Sequence, residues 1–373
     1  MSSPSYDAII VGAGIVGAAC AYECALAGLK VVVIEAGRPT GGATSAGMGH
    51  VVVMDNSEAQ FELTRYSREL WNERASELPD GCQYFQAGTL WIAADENEMQ
   101  EVRRKHGYYS SHGVRTSILG GAELARLEPN LRPGLAGALL VPDDLVLDPP
   151  SAAAYFLNRA TDKGARVMTG QPVGQLDDSG VRLANGDVLQ AGAYINAAGW
   201  QASQLTSCLP VVARKGHLVI TRREPGFIRH QLVELGYLQS AHQSTGSSVA
   251  FNVQPRRAGE VIIGASRQFG SEDTNVEEDI VRRMLDRAVG YMPGLSNLEG
   301  ARARAGIRAA TPDKLPLIGQ VSGYDRIFAA TGHEGLGITT SPATARLLVD
   351  GMLGRESAIA REPYLPVRER LAE

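Results

Sequence analysis

In a chain of 373 residues, the segment Gly12-Ala13-Gly14-Ile15-Val16-Gly17 carries the spacing G-x-G-x-x-G. Each glycine answers a separate need. Gly12 permits a tight turn, Gly14 lets backbone approach a pyrophosphate, and Gly17 lets a helix pack closely on the preceding strand. Alone the motif says little, but its surroundings give it weight. Tyr6 to Val11 reads as a short buried strand, the turn leads into a helix reaching Gly28, and Lys30 to Ile34 reads as a second buried strand closed by Glu35. The helix start offers free N–H groups to phosphates, with Ile15 and Val16 in its first turn. Glu35 can accept bonds from both hydroxyls of a ribose, with Ala36 beside it. The pattern points to a dinucleotide and does not by itself separate FAD from NAD.

Two further glycine-rich runs suit a longer ligand. Thr44-Ser45 and the run Ala46-Gly47-Met48-Gly49 offer hydroxyls and bare backbone beyond Glu35. Near the C-terminus, His333-Glu334-Gly335-Leu336-Gly337, followed by Ile338, precedes a helix expected over Pro342 to Leu353. Close glycine backbone at a helix start suits the anionic edge of a reduced isoalloxazine. Among ionisable residues, Arg308 has the planar fork that holds a carboxylate bidentately. Arg302 and Arg304 share its parity on a regular strand, so not all three can be buried without partners, and a solvated edge or domain-interface pair is the ordinary reading for those two. His50 lines a pocket or serves structure, His333 reaches the ligand through backbone as much as ring, and Asn252 and Gln254 face one side of a strand. Tyr237 is a further pocket candidate.

The elements that position these residues change texture along the chain. An amphipathic helix is expected over 55–78. Short strands follow at Tyr84–Ala93 and Leu135–Val141, with a polar helix at Glu96–His106 between them. Ser151–Lys163 reads as a helix, Val181–Leu183 and Val188–Leu189 as a hairpin about Asn185-Gly186, and Tyr194–Gly199 as a buried strand. Leu218–Thr221, Ser248–Gln254 and Val261–Ala265 alternate as antiparallel strands, and Glu277–Met292 reads as a helix. The expectation is an α/β fold: a Rossmann-like FAD-binding domain built from several segments (1–82, 147–217 and 305–373), with a second, mostly antiparallel α+β substrate domain (83–146 and 218–304).

Composition narrows the function. A net charge of −5, from 36 Lys+Arg and 41 Asp+Glu, argues against a nucleic-acid partner. The 44% apolar and 21% charged fractions are those of a globular enzyme. The four cysteines, Cys20, Cys24, Cys82 and Cys208, form no C-x-x-C pair, so no metal site is expected and a reducing, cytoplasmic setting fits. No run is apolar for long enough to span a bilayer, and peripheral association with the inner membrane stays open.

These residues resemble the D-amino-acid oxidase superfamily of flavoproteins, in the branch holding glycine oxidase, sarcosine oxidase and D-hydroxyproline dehydrogenase. The resemblance covers essentially the whole chain. It is carried by Ile9-Ile10-Val11-Gly12, by Gly306-Ile307-Arg308-Ala309-Ala310-Thr311-Pro312-Asp313, by Pro316-Leu317-Ile318-Gly319 and by Thr331-Gly332-His333. Asn196-Ala197-Ala198-Gly199 is similar to a strand of the family, Pro172-Val173 to the turn meeting the adenine, and Ala46-Gly47-Met48 to a segment beside the flavin ring. The stretch Ala46–Asp55 most resembles the flavin subunit of D-hydroxyproline dehydrogenases. Non-covalent FAD is implied, since covalent members attach the ring through a cysteine near the C-terminal signature and this chain has none after Cys208.

The resemblance assigns Arg308 to the substrate carboxylate, with the substrate C–H facing flavin N5, and sets Asn252 in a pocket strand where relatives often carry an aromatic. A carboxamide there suits a hydroxylated substrate. An aromatic also commonly stands in relatives at the position of Arg304. Some oxidases of the branch activate oxygen with a lysine. The absence of lysine from Glu224 to Asp313 leans towards a dehydrogenase that passes electrons to another acceptor, a partner protein or further subunits. The implied reaction is oxidation of the Cα–N bond of a small amino acid, preferably a D-proline-type imino acid such as cis-4-hydroxy-D-proline or D-proline. The alternatives are a glycine- or sarcosine-type oxidase forming hydrogen peroxide, and an FAD-bearing electron-transfer subunit.

Overall fold

The computed structural model describes residues 6–236, 247–298 and 302–368. Tyr237 lies outside them. A six-stranded sheet is ordered 317–320, 327–331, 191–196, 6–11, 31–35, 166–169, parallel except for its first pair. The strands Tyr6–Val11 and Val31–Glu35 are buried on both faces, which is why they read as continuous apolar runs. Period two still sorts them. Ile10, Val31 and Val33 face a core built with the helices Ile15–Leu26, Pro149–Asp162 and Gly337–Met352. Ile9, Val11, Val32 and Ile34 face a second core with Leu176, Val181 and Leu183 of a three-stranded sheet whose turn is the expected Asn185-Gly186 hairpin.

The other large sheet has eight strands, ordered 302–310, 212–223, 260–269, 247–255, 231–234, 89–93, 137–141, 117–120, and is antiparallel except where 231–234 meets 89–93. One face packs on the helix Glu278–Tyr291 through Val219, Phe251, Val253, Ile263 and Met284. The opposite face looks back towards the parallel sheet.

Several expected elements are shifted. The helix expected over 55–78 is Glu58–Glu73, started by Ser57, whose hydroxyl accepts from the Gln60 N–H at 3.1 Å. The strand expected from Tyr84 begins at Thr89. The strand Val212–Arg223 is far longer than Leu218–Thr221 because polar side chains are buried along it: Lys215 pairs with Asp273 and Glu277, each at 2.9 Å, and the His217 ring meets the Ser266 hydroxyl at 3.0 Å. Arg304 is not on a solvated edge, since its Nη2 donates to the Gly47 carbonyl at 3.1 Å. Cys20, Cys24 and Cys82 are buried and Cys208 is exposed, all four as free thiols.

The C-terminal helix begins at Gly337 rather than Pro342, leaving the proline inside it. Proline has no N–H, so the carbonyl four residues earlier, Ile338, loses its helical partner. The indole Nε1 of the fully buried Trp71 donates to the Ile338 and Thr339 carbonyls, both at 3.1 Å, and the Ser341 hydroxyl also donates to Ile338 at 3.1 Å. One turn away, the Ala343 N–H donates to the Ser67 hydroxyl at 3.2 Å. Glu23 completes the link among these helices, pairing with Arg74 at 2.7 Å and with Arg346 at 2.9 Å. Trp71→Phe keeps most of the ring's packing but removes the indole donor from both carbonyls, leaving Ile338 the Ser341 hydroxyl, and should lower unfolding free energy by about 1–2 kcal/mol, read from denaturant midpoints at unchanged slope.

Candidate active site

The glycine turn is built from close approaches. At Gly12, with φ +105°, a Cβ would lie 2.5 Å from the Ala197 carbonyl oxygen, and at Gly17 one would lie 2.0 Å from the Gly12 oxygen. Gly14 is the uncapped N-cap of the helix Ile15–Leu26, and a Cβ there would come within 3.2 Å of the Thr44 hydroxyl, which accepts from the Ile15 N–H at 2.9 Å. Glu35 sits across the turn, its two carboxylate oxygens accepting from Ala13 and Gly37 N–H at 2.8 Å each. This is a cradle of bare backbone and helix dipole with a carboxylate at its rim, and it fits a dinucleotide.

A cavity of about 460 Å³ runs from this cradle into the space beneath the eight-stranded sheet. It is lined at one end by Glu35, Ala36 and Val173, then by Gly12, Gly14, Ile15, Val16 and Thr44, and by Ala198 and Gly199. Beyond lie Gly47, Met48 and the run His333-Glu334-Gly335-Leu336-Gly337-Ile338. Arg308, His50 and Asn252 line it too. Gly17, Ser45 and Gly49 do not. Gly17 serves helix–strand packing, the Ser45 hydroxyl turns to the Gly42 carbonyl at 3.1 Å, and Gly49 is pressed on the Leu147 carbonyl, where a Cβ would come within 2.0 Å.

The loop 333–338 is tied on every side. The Glu334 N–H donates to the Ala309 carbonyl at 2.7 Å, next to Arg308. Its carboxylate pairs with Arg214 and lies 3.5 Å from Arg267. Burial alone would raise the Glu334 pKa, but the Arg267, Arg214 and Arg308 charges outweigh it and hold the group below the usual glutamate value. The Thr339 hydroxyl donates to the His50 carbonyl at 2.9 Å. Burial holds the His333 imidazole down at about 3, and its Nε2 meets the Thr344 hydroxyl at 3.0 Å. His50 is lowered to about 4, by burial first and then by Arg308 and Arg256, against a Gly335 backbone hydrogen bond that raises it. Both rings are neutral at pH 7.

Arg308 lies where sequence reading alone could not foresee. In the register of the sheet Gly306 pairs with Gly216, and the guanidinium folds across the missing side chain of Gly216, where a Cβ would fall 2.5 Å from Cζ. Its Nη1 donates to the Ser266 carbonyl on the next strand, at 2.9 Å. The charged end thereby reaches inward over the sheet. Lys314, the first residue after the lysine-free stretch, also lines the cavity, and burial lowers its pKa against the opposing pull of Glu334. Sequence reading likewise passed over Gln60, Trp91 and Gln231 on the cavity wall, because each is a single polar or aromatic residue without a motif. Among the described residues no cluster of His, Cys, Asp or Glu could hold a metal, and no helix is long and apolar enough to cross a membrane.

A dinucleotide cradle under a second, largely antiparallel sheet whose polar face closes the far end of one cavity defines a flavin-dependent oxidoreductase architecture. The chain belongs to the FAD dependent oxidoreductase (DAO) family, whose model matches residues 7–351, and it is an FAD-dependent enzyme. It is similar to the glycine oxidase of Bacillus licheniformis, 27% identical with 94% of this chain and 93% of that one covered. It is also similar to the hydrogen cyanide synthase subunit HcnC of Pseudomonas aeruginosa, 27% identical with 98% and 96% covered. Among solved structures, glycine oxidase from Geobacillus kaustophilus superimposes with a TM-score of 0.88 at 27% identity, covering 98% of this chain and 99% of that one.

Glu35→Ala should weaken FAD binding by about 1.5–3 kcal/mol, as expected for a charged hydrogen-bonding group. Flavin retained on dilution, followed by absorbance after gel filtration, measures it. Retention equal to that of the unchanged protein would remove Glu35 from the cofactor site.

Proposed function

We propose that this enzyme oxidises the Cα–N bond of a small amino or imino acid whose carboxylate is held by Arg308. The reading rests above all on one observation: a guanidinium laid across Gly216 and facing the cavity that also contains the cofactor cradle. A planar fork in that position matches a carboxylate through two parallel N–H donors. FAD, when bound, supplies the two-electron acceptor. The chain's own part is to bind, orient and exclude water. Arg308 fixes the carboxylate, the apolar Met48 and Leu218 line the cavity beside it, and His50, neutral at pH 7, adds no positive charge to the wall. None of the four cysteines lines the cavity, which supports non-covalent FAD.

The preferred substrate is a D-proline-type imino acid, cis-4-hydroxy-D-proline or D-proline. A buried carboxamide, Asn252, on the cavity wall supports a ring substituent there. A glycine- or sarcosine-type oxidase is the second reading, favoured by the named activity of the glycine oxidase relatives. Lys314 on the cavity wall favours reaction with oxygen more than the lysine-free stretch alone implies. Association with further subunits is supported by the relative named as a synthase subunit. Anaerobic bleaching of bound flavin by glycine, sarcosine and D- and L-prolines, followed by reoxidation with oxygen or a dye, separates these readings.

Arg308→Ala should lower kcat/KM for the best amino acid by at least about a hundredfold, or roughly 2.7 kcal/mol, with the flavin spectrum little changed. Arg308→Lys should recover only part, because an ammonium cannot reproduce the fork. Pyrrolidine, which lacks the carboxylate, should be a poor substrate for both proteins and nearly indifferent to the change. Near-normal kinetics on the amino acid would overturn the assignment. Gly216→Ala gives an independent check. Its methyl group would displace the guanidinium without touching the cofactor cradle, so KM should rise at least about tenfold while flavin content stays the same.

A further inference from the structure

The polar groups on the cavity wall do not all have partners. Asn252 Oδ1, Gln231 Oε1, Gln60 Oε1 and Trp91 Nε1 are buried, with no hydrogen-bond partner among the described residues, and all four residues line the cavity. Buried polar atoms of this kind are normally satisfied, and four on one cavity wall call for something inside the cavity to meet them.

Sheet register brings three of them together. Asn252 pairs with Val233, Val233 pairs with Trp91, and Gln231 lies two residues before Val233. Asn252, Val233, Gln231 and Trp91 therefore share one face. Asn252 and Gln231 are diagonal neighbours, about 7–8 Å apart between Cα atoms. Gln60 comes from the helix that follows the segment Val52–Met54, which packs in one cluster with Trp91 and Val233. The Arg308 guanidinium, folded over Gly216, bonds to Ser266 on the strand adjacent to that of Asn252. With strands about 4.8 Å apart, the carboxylate-binding fork and the carboxamides are separated by roughly 5–10 Å. That is the span of a small cyclic amino acid from its carboxylate to the opposite ring atom.

The charges divide the cavity. Among the described residues its lining cations and acids are Glu35 at the ribose end and Arg267, Arg308, Lys314 and Glu334 around the carboxylate site. The carboxamide wall contributes none. A second carboxylate would meet no cation there, and an ammonium would meet no acid. A hydroxyl suits it, because it donates once and accepts twice, and carboxamides and an indole N–H offer both complements.

We infer that Asn252 and Gln231, with Gln60 and Trp91 beside them, form a second subsite that recognises an uncharged hydroxyl on the part of the substrate remote from its carboxylate, so that hydroxylated cyclic imino acids are the preferred substrate class. This rests on the reading of Arg308 given above. A pocket that hydrogen-bonds a substrate hydroxyl rejects the analogue lacking it, because its own polar groups are then left unpaired.

The test compares cis-4-hydroxy-D-proline with D-proline in the holoenzyme, and in parallel the dissociation constants of two non-oxidisable ethers, tetrahydrofuran-2-carboxylate and its 4-hydroxy derivative, from perturbation of the flavin spectrum. The hydroxylated substrate should be preferred by at least about thirtyfold in kcat/KM, and the hydroxylated ether should bind at least about tenfold more tightly. Asn252→Leu and Gln231→Met should each bring both ratios below about threefold, chiefly by losing the hydroxylated ligand, with flavin content as the check on folding. A ratio near one in the unchanged enzyme, or a preference that survives both substitutions in flavin-loaded protein, overturns the inference and leaves the carboxamides as a water-filled wall. Proline oxidation that depends on Arg308 but ignores the hydroxyl sinks this inference alone. Failure of every imino acid to reduce the flavin sinks the reading beneath it as well.

Discussion

A missing hydrogen-bond donor organises the centre of the molecule. Pro342 sits inside the C-terminal helix and cannot bond to the Ile338 carbonyl, so that carbonyl and its neighbour recruit the indole of Trp71 from another helix. The start of the helix is thereby fixed, and with it the loop 333–338. Glu334 ties that loop to the strand carrying Arg308, and Thr339 ties it to His50. The cavity-lining loop, the strand of Arg308 and the neutral His50 thus share one anchoring point, far in sequence from the glycine turn that begins the cradle.

The charged groups follow from this arrangement. Glu334 is buried among three arginines and stays ionised, which balances part of a strongly positive region without cancelling the cation that faces the cavity. Away from Arg308 the wall becomes neutral and polar. Along a single sheet face the wall thus grades from cation to carboxamide.

Much of the parallel half is legible in the sequence, because its signals are local. The strand–turn–helix–strand order, the acidic residue at the second strand's end and the Asn185-Gly186 hairpin all depend on neighbours. The site depends on long-range pairing, and there sequence reading runs out. Nothing near Arg308 announces that its guanidinium crosses Gly216 of a distant strand, two positions along the ladder from its own partner Arg214, or that this absence of a side chain aims the guanidinium. Trp91 and Gln231 come to share a face with Asn252 only once the sheet has assembled. Arg304 misleads for a related reason: its partner is the backbone carbonyl of Gly47, which no charge pattern reveals. The length of the strand Val212–Arg223 is hidden by its buried Lys215 and His217, whose partners come from elements that follow much later.

The thiols carry a practical consequence. Burial raises the Cys20 pKa well above its ordinary value, pushes Cys24 up to about 12 and Cys82 up to about 11, so none presents a reactive thiolate at neutral pH. Cys208 alone is exposed, and it follows closely on the segment 200–205, several of whose residues line the cavity. The unmodified chain therefore provides one chemically addressable position close to its own chromophore. A label attached there would sit beside the wall of that cavity without any engineered residue.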